Sequence, residues 1–119
     1  MRTRPTNERR RTLVRQVVLV RWKEGVSDEA KRAVSEALAA LPSEIPGVRD
    51  MRMGADLGLR PGNFDFVVTA DFDDEGAYLF YRDHPAHQQV VTDLIRPVMA
   101  ERAGILFRSD SNCSSGFQI

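Results

Sequence analysis

The segment Tyr81-Arg82-Asp83-His84-Pro85-Ala86-His87 holds both histidines of a 119-residue chain and one of its two tyrosines. An imidazole exchanges protons near neutral pH and a phenol donates a hydrogen bond, so these types fit removal of a proton from carbon beside a carbonyl. Proline suits the first helical position, where no N–H is needed and φ is preset; Pro85 therefore predicts a helix start, with His84 extended before it. The segment is then a corner, with Tyr81 in the last turn of one helix and His87 in the first turn of the next. There His87 is placed as a general base and Tyr81 as a donor to the enolate oxygen that proton loss creates. The same spacing also suits an architectural corner, in which His87 fastens a backbone carbonyl or Tyr81, and both readings stay open. His84 reads as the cap of the second helix. Two histidines with only Asp83 nearby fall short of a metal site, so no metal is expected.

Other elements must position this corner. Residues 15–22 are β-branched and aromatic and predict a strand with Gln16, Val18, Val20 and Trp22 on one face and Val17, Leu19 and Arg21 on the other. Ser27 supplies a cap hydroxyl for a helix whose Ala30, Ala33, Val34, Ala37, Leu38 and Leu41 form one stripe before Pro42. A less regular strand follows over 48–57, with Arg49, Met51 and Met53 on one face. Residues 64–72 form the strongest strand, alternating Phe64, Phe66, Val68, Ala70 and Phe72 against Asp65, Val67, Thr69 and Asp71. Asp73 or Asp74 caps a short helix to about Arg82, and Val90, Val91, Leu94, Ile95 and Val98 stripe a longer one that Pro97 ends. A last strand spans 103–107. The order β-α-β-β-α-α-β predicts an α+β ferredoxin-like sandwich, an antiparallel four-stranded sheet with helices on one face. Pairing two such sheets would cover Val17, Leu19, Val67 and their neighbours, so a homodimer is expected.

Bulk composition narrows the function classes. With 42% hydrophobic residues the chain fits one domain. It divides into a basic disordered leader (1–13) carrying Arg2, Arg4, Arg9, Arg10 and Arg11, a folded domain (14–108) with 12 basic and 15 acidic residues, and a polar tail (109–119). A mildly acidic domain lacks the basic face that neutralises phosphates, so no nucleic acid partner is expected. The longest apolar run, Val17 to Val20, is far too short for a membrane span or signal core, and Cys113 is the sole cysteine, which together suggest a cytoplasmic protein. With no nucleotide-loop glycines and no cysteine cluster, no cofactor is expected.

Four blocks in order carry a resemblance: the opening strand Val14 to Lys23, then Ile45-Pro46-Gly47-Val48-Arg49, the strand Asn63 to Phe72, and His84-Pro85-Ala86-His87 with the later Arg96-Pro97. Over Val14 to Arg108 the chain resembles the stress-responsive dimeric α/β-barrel (Dabb) family. The resemblance implies a homodimer of ferredoxin-like protomers joined through their sheets. A plant cyclase of that family closes linear poly-β-ketones without a cofactor, using a tyrosine and a histidine of the corner; the resemblance gives these roles to Tyr81 and His87, and a pocket position to His84. Two further histidines of the cyclase fall here on Gln16 and Phe66, which reduces the polar lining. The expected pocket lies between Gln16, Val18, Val20, Phe66 and Val68 of the sheet and Tyr81, His84 and His87 of the helices, with Arg49 near a substrate carboxylate. The function that follows is a cofactor-independent cyclase or lyase acting on a small apolar, β-keto or polyketide-like ligand. A non-catalytic stress-response or small-molecule-binding dimer is the alternative, and a cofactor-free monooxygenase, by analogy of architecture alone, is third.

Overall fold

Alternation of side chains with period two writes the sheet, and the turns between strands set its order. The computed structural model describes residues 12–110, so most of the arginine-rich leader and the tail bearing Cys113 lie outside the described residues. Strands β1 (Thr12–Trp22), β2 (Val48–Ala55), β3 (Phe66–Phe72) and β4 (Met99–Asp110) form one antiparallel sheet in the order β2-β3-β1-β4. β1 is central and pairs along its whole length with β4, from Thr12 opposite Asp110 to Trp22 opposite Met99. β4 is thus far longer than the five residues its hydrophobicity suggests, because the register on β1 carries it through Ser109 and Asp110. A bulge at Arg21/Trp22 lets the Trp22 N–H leave the ladder and donate to Asp65 Oδ2 at 2.9 Å.

The helices lie on one face. In α1 (Asp28–Ala40) the Ser27 Oγ accepts from the Ala30 N–H at 3.1 Å, and Asp28 and Glu29 complement the helix dipole. Its stripe buries Val34 and Leu38, and a single 3₁₀ turn at Pro42 carries Leu41 into the same core. The following loop is part of that core, since Ile45 is fully buried. Gly47 adopts φ +97° where a Cβ would stand 3.0 Å from the Ala77 Cβ, so the loop reaches Ala77 only because this residue has no side chain. α2 (Glu75–Asp83) begins at Asp74, whose Oδ1 accepts from the Ala77 N–H at 2.8 Å.

The expected long helix after the corner is instead composite. α3 covers Pro85–Val90, a π turn occupies Val91–Ile95, and a 3₁₀ turn spans Arg96–Val98. Pro97 has no N–H to return to the Asp93 carbonyl, so an α-helical end is not available there. The apolar stripe consequently splits, Val91 and Ile95 facing the sheet-side cavity while Val90 and Leu94 line a groove with Ala37 and Leu41 of α1.

The other sheet face is open. It carries Val17 and Leu19 of β1, Val67 of β3, and Ile105 and Phe107 of β4, which are 62% and 42% exposed. Within it Arg15 donates to Asp71 from Nε at 2.7 Å and from Nη2 at 2.9 Å, a bidentate pair between residues directly opposite on β1 and β3. Among the described residues no helix is long and apolar enough to cross a membrane.

Candidate functional site

The helix break creates the site's first feature. In an unbroken helix the Arg82 carbonyl would accept from the Ala86 N–H. Pro85 ends α2, His84 turns to φ −65° and ψ 136°, and its Nδ1 accepts the Ala86 N–H at 3.0 Å. The Arg82 carbonyl is left without a helical donor and is taken by two side chains, His87 Nδ1 at 3.0 Å and Gln88 Nε2 at 2.6 Å. A carbonyl only accepts, so His87 donates through Nδ1–H and its Nε2 keeps a lone pair. The corner itself therefore selects the tautomer.

Packing sets the rest. Phe72, fully buried at the end of β3, meets Tyr81 at 5.1 Å and Tyr78 at 5.5 Å between ring centroids. Tyr81 is 3% exposed and meets the His87 ring at 4.3 Å, tilted by 40°, so the expected phenol–imidazole neighbours touch ring against ring rather than through a hydrogen bond. Burial raises the Tyr81 phenol well above its ordinary pKa, so it stays a neutral donor. For His87 burial is the largest cause and lowers the imidazole below its ordinary value; the hydrogen bond to Arg82 opposes this, and the charges of Arg102 and His84 add to it. Both groups are thus held in the protonation states that base and donor need at pH 7.

Tyr81 and His87 share a cavity of about 280 Å³ between helices and sheet, near the lower bound for small-molecule sites. Gln16, Val18, Val20, Phe66 and Val68 all line it, because cross-strand partners in register share a face: Val18 lies opposite Val68, and Val20 opposite Phe66. Trp22 closes one end, 5.1 Å from the Phe66 ring.

Two expected members lie elsewhere. His84 is not in the cavity wall: as cap of α3 its Nδ1 is spent on Ala86, and its ring stands edge-on to Phe80 at 5.5 Å. Arg49 is also absent, because β2 is irregular between Val48 and Asp50 and leaves Arg49 out of the ladder, where it pairs with Asp73 at 3.4 Å. Sequence reasoning in turn missed Tyr78, Gln88, Met99 and Arg102 as lining residues. The available signal for Arg102 was Gly104, a glycine inside a strand, which marks the close approach of another group. Among the described residues no group of three or more His, Cys, Asp or Glu side chains is placed to hold a metal ion.

Residues 14–106 match the family model described as the stress responsive A/B barrel domain. An uncharacterized protein of Streptomyces coelicolor is 32% identical over 78 residues, covering 64% of this chain and 80% of that protein. A dimeric ferredoxin-like protein of unknown function from Thermobifida fusca superposes with a TM-score of 0.74 at 38% identity, over 81% of this chain and 90% of the other. The hydroxynitrile lyase of Passiflora edulis superposes at 0.75 with 17% identity, over 89% of this chain and 97% of the other, a likeness of fold.

Proposed function

The chain belongs to the stress-responsive A/B barrel domain family, and from that premise we propose that it is a homodimeric, cofactor-independent lyase or cyclase acting on a small apolar carbonyl compound. The observation that carries this is the hydrogen bond from His87 Nδ1 to the Arg82 carbonyl, which leaves Nε2 basic in a residue that lines the cavity. Nε2 takes a proton from a carbon flanked by carbonyls, and the C–H electron pair passes to an enolate oxygen that the Tyr81 O–H stabilises. The enolate carbon then attacks a second carbonyl of the same substrate to give an alkoxide, or the enolate collapses to a C=C bond and expels a leaving group from the adjacent carbon, which departs with the electron pair of its bond. The proton on Nε2 is returned to the product. The apolar walls hold the substrate folded for the step. That a lyase exists on this fold in Passiflora edulis is consistent with the reading.

A non-catalytic ligand-binding dimer is the second reading, supported by the fact that His84 and His87 both also fasten the corner. Deuterium exchange at the central carbon of ethyl acetoacetate, followed by NMR, separates them. Wild type is expected to speed exchange, His87→Ala to lose about 10²-fold or more of that acceleration, and Tyr81→Phe roughly tenfold or more. Exchange unchanged in both variants would overturn the catalytic roles.

A further inference from the structure

The cavity is apolar, yet every formally charged side chain in its wall is an arginine: Arg82, Arg96 and Arg102, with no carboxylate among them. This runs against the domain's own balance of 12 basic and 15 acidic residues over 14–108. Arg82 is held by Asp83 through Nε at 2.9 Å. Among the described residues no ion pair involves Arg96 or Arg102. Arg102 lies on β4 opposite Val20, on the cavity side of the sheet, and its guanidinium rests on Gly104, where a Cβ would stand 3.1 to 3.3 Å from its Nη1, Nη2 and Cζ atoms. Gly104 has no positive φ to explain it, so the missing side chain serves space rather than backbone conformation.

Building on the cavity as a ligand site, we infer that its natural ligand is a free carboxylic acid with an apolar body, the carboxylate held by Arg102 and Arg96 at the rim and the body laid on Val18, Val20 and Phe66. Arg96 and Arg102 are exposed at the mouth of the cavity, and a planar guanidinium presents paired N–H donors to a carboxylate. Arg102 also adds, after burial, to the lowering of the His87 pKa, so a bound anion offsets that smaller electrostatic contribution.

Octanoate and octanamide, alike in apolar body and different in charge, test this by calorimetry and by NMR titration of the His87 ring. Octanoate is expected to bind roughly 10- to 100-fold more tightly than octanamide, the effect of a charge-assisted hydrogen bond, and to raise the His87 midpoint on binding. Arg102→Gln removes that preference. Gly104→Ala, which keeps the charge but displaces the guanidinium, weakens octanoate, while octanamide affinity stays level in both variants as a check on folding. Equal binding of the two probes, no binding of either, or full octanoate affinity in Arg102→Gln overturns the inference. Exchange at the neutral ester is scored separately, so loss of the anion site leaves the base reading standing, and the reverse.

Discussion

At the scale of the residue, the site is a histidine whose tautomer is chosen by a backbone carbonyl and whose charge is suppressed by burial. The lowered His87 pKa fixes the sign of the pH response expected of the proposed base: exchange should fall on acidification with a midpoint below the ordinary value of about 6.5. Arg102→Gln removes one of the positive charges acting on the ring, so the midpoint moves up toward 6.5, measured as log rate against pH. Stability follows the same direction, because the unfolded chain binds a proton that the native state refuses; it declines as pH falls from about 6.5 through the lower folded value. Much of this was legible in the residues alone. Gln16, Val18, Val20, Phe66 and Val68 all fall on the cavity side because strand alternation is strict. His84 lies outside the cavity wall because a cap's ring is committed to the backbone, and Arg49 because the alternation breaks where Val48 and Asp50 skip it. Arg102 went unnoticed because an edge-strand arginine looks solvated until the glycine beside it is given a reason.

At the scale of the element, registers and caps hold the corner over the sheet. β1 and β3 are locked by Arg15 and Asp71, cross-strand neighbours whose carboxylate residue is only 6% exposed. Removing the guanidinium strands that carboxylate on the open face, so Arg15→Ala is expected to lower stability by about 1–3 kcal/mol. The double variant with Asp71→Ala recovers part of the loss, read from urea midpoints at one protein concentration. Helix starts were legible at Ser27, at Asp73 or Asp74, and at Pro85, since capping chemistry is local, and the structure selects Asp74 of the two. The interior of the last helix was not: a hydrophobic stripe reports which residues are apolar and not whether one turn is wound wider than the next.

At the scale of the molecule, one sheet face is covered by helices and the other presents Val17, Leu19, Val67, Ile105 and Phe107. Proteins of this fold from Thermobifida fusca and Bacteroides fragilis are dimeric, and a second copy laid on this face is the cover proposed here. Ile105→Glu, on the edge strand, is expected to sediment as a monomer at micromolar concentration with its circular dichroism preserved; a mass unchanged from wild type would exclude this face from the interface. The layer order was legible from the β-α-β-β-α-α-β succession, whereas the full reach of β4 was not, since its ends are polar and only pairing with β1 reveals them. The π turn at Val91–Ile95 has a bearing of its own on descent. A turn wound this way holds one residue more than an α-helix needs, the trace an insertion leaves. Loss of one residue there lets the turn rewind as ordinary α-helix while the segments on either side keep their phase. These five positions are therefore where the helix can lose one residue at least cost, and relatives that share the pocket with a chain one residue shorter here should show a plain α-helical turn in its place.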